Sequence, residues 1–160
     1  MSLRIRPMRA ADLPEVLGIE QVVFAEEAWT RQMFDGELAH PASRHYVVAE
    51  ADGTIAGYAG LAAGGGQGDV QTIAVRADRQ GQGIGTALLG ELIATAAARR
   101  CREIFLEVRA GNARAHRLYL RTGFTDVGVR RGYYQPSGAD AIVMRMRLPE
   151  HRPANAADRA

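Results

Sequence analysis

Residues 3–8, Leu-Arg-Ile-Arg-Pro-Met, alternate apolar and polar side chains, which predicts a half-buried strand. The period then changes. Leu13, Val16, Leu17, Ile19, Val23 and Phe24 recur at helical spacing behind Asp12, a candidate N-cap, and predict an amphipathic helix to about Ala25. Thr30 is a second N-cap candidate and opens a short helix through Leu38, with Pro41 marking the break. Residues 46–50 and 55–62 read as strands joined by Asp52-Gly53, a hairpin turn signal. Residues 64–68 read as a loop and 70–75 as the next strand. A glycine-rich turn from Gln80 to Gly85 leads into a long helix to about Arg100, with Ile84, Leu88, Leu92 and Ala96 along one face. Residues 103–108 predict a strand, and Asn112 caps a helix that Gly123 stops. Residues 124–131 and 141–148 predict two closing strands. A single domain over residues 1–148 is then followed by a polar tail, 149–160, expected to be disordered. The order β–α–α–β–β–β–α–β–α–β–β mixes hairpins with a crossover helix. It predicts an α+β domain on a mixed sheet, not a doubly wound nucleotide fold.

Composition narrows the function classes. A chain of 160 residues with 47% hydrophobic and 24% charged content suits one domain with a real core. All 20 basic residues are arginine, yet the net charge is only +2, too small to argue for a nucleic-acid binder. Cys101 is the one cysteine, so no disulfide forms within the chain and a reducing, cytoplasmic setting is expected. No run of about eighteen apolar residues suggests a membrane span. His40, His45, His116 and His151 show no metal-ligand spacing with Cys101, so no metal is expected.

The segment Arg79-Gln80-Gly81-Gln82-Gly83-Ile84-Gly85-Thr86 is the sharpest local signal. Glycines let main-chain N–H groups crowd round a ligand, and the helix that follows offers unpaired donors and a dipole that favours anions. A phosphate or pyrophosphate is the expected ligand, against the alternative of a plain glycine turn. A P-loop would need a lysine, and the chain has none. A Rossmann turn would need glycine or alanine where Thr86 or Leu88 stands. Glu103 does lie about twenty residues on, as a ribose-binding acid would, but the strand before the turn follows a hairpin array.

Gln80-x-x-Gly83-x-Gly85 resembles the pyrophosphate motif of the GNAT N-acetyltransferases, and Thr72-Ile73-Ala74-Val75 resembles the strand before it. Leu106-Glu107-Val108-Arg109-Ala110-Gly111-Asn112, Leu118-Tyr119-x-x-x-Gly123-Phe124 and Arg130-Arg131-Gly132-Tyr133-Tyr134 are similar to the RimI-type branch, which acetylates the N-terminal alanine of a small-subunit ribosomal protein. The likeness runs from about Leu3 to Leu148. It departs at Arg76-Ala77-Asp78, where the family usually has a proline, at Ala28 before Trp29, where proline is frequent, and in the glycine run 64–68. The resemblance implies a GNAT fold, with a mostly antiparallel sheet of six or seven strands and about four helices on its two faces. It implies acetyl-CoA as co-substrate, held by the backbone of Ile73, Ala74 and Val75, by Gly81, Gln82, Gly83, Ile84, Gly85 and Thr86, and by Asn112. It implies Glu107 as general base and Tyr119 as general acid. The implied partner is a protein N-terminus, with the enzyme a monomer or weak homodimer.

That chemistry is coherent. A free α-amine has a pKa near ~7.7–8.0, so a modest base suffices to neutralise it for attack. Main-chain N–H, such as that of Val75, could meet the oxyanion. Tyr119 falls two turns beyond Asn112 on one helix face, where a proton donor could reach the leaving sulfur. Blander readings stay open for each residue. Glu107 could be a solvent-facing carboxylate beside Arg109, and Tyr119 a core aromatic between Leu118 and Leu120. Trp29, Tyr133 and Tyr134 could line a peptide groove or belong to the core. Arg130 and Arg131 read as a solvated strand end, His116 as surface, and Cys101 as packing. Two rival functions also stand: a small-molecule amine acetyltransferase, with Glu26, Glu27 and Asp35 supplying acidity for an aminoglycoside or polyamine, and a non-enzymatic acetyl-CoA-binding module.

Overall fold

The alternation that starts at Leu3 becomes β1 (Leu3–Pro7), whose partner β2 (Arg44–Ala51) shows why the period is two. Val47, Ala49 and Ala51 enter one core cluster, while Tyr46 and Val48 enter another on the opposite face. The computed structural model describes residues 2–150; the expected tail beyond Glu150 lies outside the described residues. The remaining elements are α1 (Leu13–Phe24), α2 (Arg31–Leu38), β3 (Thr54–Gly64), β4 (Gln67–Val75), α3 (Ile84–Ala98), β5 (Glu103–Arg109), α4 (Ala113–Thr122), β6 (Thr125–Arg130) and β7 (Ala141–Arg147). One seven-stranded sheet runs β1-β2-β3-β4-β5-β7-β6. Every neighbouring pair is antiparallel except β4 and β5, which the crossover through α3 makes parallel.

The helices divide between the faces. Ile84, Leu88, Leu92 and Ala96 of α3 are buried, as their spacing requires, and pack with Val47, Ala59, Leu61, Ile104 and Leu106 of the strands. On the other face, Leu13, Val16 and Ile19 of α1 and Phe34 of α2 close over Val48, Ile55, Tyr58 and Ala74. Thr30 caps α2 by accepting from Met33 N at 3.3 Å, Asn112 caps α4 by accepting from Ala115 N at 3.2 Å, and Gly123 ends α4.

Two local expectations are corrected. Asp12 stands at the N-cap position of α1 but its side chain does not cap it. Its carboxylate accepts from Nη1 and Nη2 of Arg6 at 2.8 and 2.7 Å and from the N–H of Arg9, a charge-assisted set that outcompetes a cap. Residues 64–68 are not a loop. Gly65 and Gly66 both take positive φ (62° and 82°), which makes a two-residue hairpin turn and lets β3 and β4 pair up to Gly64 and Gln67. β4 therefore begins at Gln67, three residues before the predicted Val70.

Candidate active site

β4 and β5 hydrogen-bond only between Gln67–Asp69 and Glu103–Phe105, and then separate. Beyond that point one edge of β4, from Val70 to Val75, has no strand partner among the described residues. Opposite β3 the register skips from Gly60↔Thr72 to Leu61↔Val70, so Gln71 is an extra, bulged residue at the start of the free stretch. The gap opens into a cleft of about 930 Å³ that crosses the sheet.

One end of the cleft is walled by β4, the turn after it and α3. Ile73, Ala74, Val75, Gly81, Gly83, Ile84, Gly85 and Thr86 all border it, together with Asn112 at the start of α4. Gly81 and Gly83 take positive φ (78° and 83°), a conformation that other residues adopt only with strain. Gly83 is the N-cap of α3 and supplies no side-chain cap, and the first turn of α3 has no acidic residue. The unpaired N–H groups and the helix dipole there favour an anion. Gln82 departs from the expectation: it is exposed and does not border the cleft. It sits between two left-handed glycines whose turn is shaped by the glycines themselves, so its contribution reduces to main chain.

Arg114 was missed in the sequence. Its Nη1 donates to Gln80 Oε1 at 2.9 Å, while Gln80 Nε2 donates to the carbonyl of Val75 at 3.3 Å. A Cβ placed on Gly81 would come within 3.3 Å of the Arg114 guanidinium. Gln80 thus braces the end of β4 against α4 and aims a cation along the glycine turn. The arginine-rich pattern of α4 carried no signal that singled out this one.

The other end of the cleft collects the titratable and aromatic side chains. Glu107 projects from β5 and is half-buried, with Arg130 Nε 3.8 Å from its Oε1. Burial raises its pKa above the usual carboxylate range, with Arg130 opposing and Asp69 reinforcing the rise. Arg109 is not its partner: the Arg109 guanidinium pairs with Glu27 at 3.1 Å. Tyr119, on α4, is buried with its ring edge-on to Phe124, centroids 6.2 Å apart. Its hydroxyl has no hydrogen-bond partner among the described residues, and burial holds its pKa well above the phenol value. It is a packed aromatic and a cleft residue at once.

Trp29, Tyr133 and Tyr134 border this end as well. Trp29 is half-buried against Phe34, centroids 5.2 Å apart. Its main-chain N–H donates at 3.0 Å to Glu20, a buried carboxylate whose other oxygen accepts from the Tyr58 hydroxyl at 2.6 Å. Sequence reasoning missed Glu20, because an acid inside an apolar helix face carries no periodic signal. Tyr133 and Tyr134 meet edge to face at 5.0 Å, each beneath an arginine, Arg130 and Arg109 respectively. Burial pushes the Tyr134 hydroxyl up to about 12 and raises that of Tyr133. Arg130 is thereby more than a solvated strand end. His116, read as surface, is half-buried and lies 2.7 Å from Asp126 on β6. Of the acids suggested for a polycation pocket, Glu27 is engaged by Arg109, and Asp35 faces Arg31 at 3.8 Å outside the cleft. Glu26 and Glu27 both border the cleft, and of the two Glu27 is the one paired with an arginine.

A model of the acetyltransferase (GNAT) family matches residues 11–124, and the chain belongs to that family. It is an acetyl-CoA-dependent N-acetyltransferase by that membership. Among relatives, N-alpha-acetyltransferase RimI of Mycobacterium tuberculosis is 41% identical over 146 residues, covering 88% of this chain and 90% of that one. The crystal structure of the ribosomal-protein-S18-alanine N-acetyltransferase from Escherichia coli superposes with a TM-score of 0.84 at 31% identity, over 96% of this chain and 98% of that one. A ribosomal-protein-alanine N-acetyltransferase from Brucella melitensis gives 0.78 at 27% identity, over 91% and 99%. The residues present fit the co-substrate: a cationic glycine turn for the diphosphate, then a free strand edge whose amides can pair with the pantetheine arm. No described helix is long and apolar enough to cross a membrane. Among the described residues, no group of three His, Cys, Asp or Glu could hold a metal.

Proposed function

We propose that the chain acetylates the α-amine of a protein N-terminus, with the N-terminal alanine of a small-subunit ribosomal protein as its acceptor. The carrying observation is that Glu107 and Tyr119 border one cleft, the hydroxyl without a partner among the described residues and the carboxyl with only a distant arginine. The names of the RimI-type relatives support the acceptor class. Glu107 takes a proton from the ammonium, directly or through a water, and leaves a neutral amine to attack the acetyl carbon. The new C–N bond forms as the C–S bond breaks, and Tyr119 gives its proton to the departing sulfur. The proton held by Glu107 leaves to solvent, the freed carboxylate takes the second proton from the attacking nitrogen as the amide forms, and Tyr119 is reprotonated from solvent. Main-chain N–H on the free edge of β4, such as that of Val75, is available to the oxygen that gains charge. Trp29, Tyr133 and Tyr134 supply flat, polar-tipped walls suited to an extended peptide.

The deciding experiment is acetyl-CoA turnover with a hexapeptide beginning with alanine and, separately, with an aminoglycoside panel. Turnover is expected with the peptide alone; turnover with the aminoglycosides alone would replace this acceptor by a small amine. Arg114→Ala is expected to raise the KM for acetyl-CoA about three- to tenfold, as loss of one exposed charge contact does, and to leave the peptide KM unchanged. A change confined to the peptide KM would take Arg114 away from the coenzyme end.

A further inference from the structure

We infer that Glu27 is a positioning residue for acceptor recognition, fastening the segment 131–140, which carries Tyr133 and Tyr134, across the acceptor end of the cleft. This rests on the reading that the glutamate-and-aromatic end of the cleft receives the acceptor. Glu27 lies in the single turn Ala25–Glu27 between α1 and α2, so it belongs to the wall opposite that segment. One of its carboxylate oxygens accepts from the Ser137 hydroxyl, 110 residues away in sequence. The other lies 3.1 Å from Arg109 Nη1 at the end of β5. A side chain on an irregular turn is ordinarily solvated, yet that of Glu27 is only 8% exposed.

The second link runs through Arg109, whose guanidinium lies 5.9 Å from the centre of the Tyr134 ring. One carboxylate therefore engages the segment twice, directly at Ser137 and through the cation on which Tyr134 rests. The segment's internal bonds do not reach the opposite wall. Gly132 N–H donates to Asp140 at 2.8 Å, Tyr134 N–H to the Ala139 carbonyl at 3.0 Å, and Gly138 N–H to the Tyr134 carbonyl at 2.8 Å. They make a compact loop, but its seat over the cleft comes from Glu27. Oε1 is taken by Ser137, while Oε2 is shut off from solvent beside Arg109 with no hydrogen-bond partner among the described residues, so this carboxylate offers no open face to an incoming ammonium. Its effect on the acceptor passes through Tyr133 and Tyr134.

Four variants separate the possibilities: Glu27→Ala, Glu27→Gln, Ser137→Ala and the double Glu27→Ala/Ser137→Ala. Glu27→Ala removes both links and is expected to raise the KM for the alanine-initiated hexapeptide about tenfold, the scale of a hydrogen bond to a charged group. Glu27→Gln keeps an acceptor for Ser137, and Ser137→Ala keeps the ion pair, so each should raise it only about threefold. The double variant should be no worse than Glu27→Ala, because the second change removes a partner already lost. The KM for acetyl-CoA should not move in any of them. In hydrogen exchange, the amides of Tyr134 and Gly138 should lose protection in Glu27→Ala and Ser137→Ala while those of α3 keep theirs. Should Glu27→Gln match Glu27→Ala with Ser137→Ala harmless, the carboxylate meets the acceptor's charge directly and the fastening role is overturned. Unchanged exchange at Tyr134 and Gly138 overturns it too, as does loosened exchange with an unchanged peptide KM. A wild-type protein inactive on the peptide would instead sink the acceptor assignment, and exchange alone would then judge the fastening. If Glu27→Ala does not fold, Glu27→Gln and Ser137→Ala carry the same comparison.

Discussion

Glu107→Gln is expected to lower kcat by about 10²- to 10³-fold at neutral pH while the KM for acetyl-CoA holds, because general bases contribute on that scale. The loss corresponds to about 3–4 kcal/mol of transition-state stabilisation. Glutamine keeps the shape and the half-buried seat on β5 but cannot accept a proton, so packing is preserved and only the chemistry is lost. The pH profile should change in kind as well as in height. Burial holds the Glu107 carboxyl above the usual carboxylate range, so the wild-type rate falls on the acid side as that raised group protonates. The variant loses this limb. Its residual rate follows the unassisted ionisation of the acceptor amine, near ~8, and the profile moves alkaline. A Glu107→Gln enzyme with wild-type kcat and an unmoved acid limb would place the base elsewhere.

The same residue links activity to stability. A carboxyl whose pKa rises on folding contributes stability at low pH, and that contribution is lost as pH rises through the folded pKa. At neutral pH the wild-type protein therefore carries a partly desolvated charge that Arg130, 3.8 Å away, compensates only in part. Glu107→Gln should melt at or above the wild-type temperature at pH 7, and the difference should vanish near pH 4, where the wild-type carboxyl is protonated. A drop in melting temperature at pH 7 would instead make Glu107 a structural partner of Arg130.

Local signals carried far along this chain because they are local. Thr30, Asn112 and Gly123 act within one helical turn of themselves, and their caps follow from residue type. The face formed by Ile84, Leu88, Leu92 and Ala96 is a property of one helix, and it is buried as its spacing requires. The seven strands follow from alternation and turn residues in the same way. The shape of the cleft does not, because it depends on pairing between distant segments. Nothing in residues 67–75 alone says that they hold β5 for three residues and then part from it. Glu20 is bonded to Tyr58 across 38 positions, Arg114 to Gln80 across 34 and Ser137 to Glu27 across 110. Asp12 shows the converse error: residue type suggested a cap, and a nearby arginine claimed the carboxylate. Glu107 and Tyr119 were legible through resemblance, whereas composition and spacing left both with ordinary alternatives.

Tyr119→Phe is expected to lower kcat about 10- to 10²-fold, with the KM for acetyl-CoA and the melting temperature nearly unchanged. The stability half of this expectation comes from the packing. The ring stays against Phe124, and the hydroxyl that is deleted has no partner among the described residues, so no buried group is orphaned by its loss. Removing an unpaired hydroxyl from a buried site is neutral or mildly favourable. The catalytic half comes from ionisation. Burial, reinforced by Tyr134, holds the Tyr119 phenol protonated well beyond the ordinary range, so it stays a donor at every pH where the enzyme works. The wild-type profile should accordingly show no alkaline limb from this group up to about pH 10, the ordinary phenol value. A poor leaving thiolate depends on that donor and a good one does not. The penalty of Tyr119→Phe should therefore shrink with an acyl donor whose thiol has a low pKa, such as an activated aryl thioester. If Tyr119→Phe costs the same factor with both donors, or raises the KM for acetyl-CoA as much as it lowers kcat, the hydroxyl seats the coenzyme and does not protonate its sulfur.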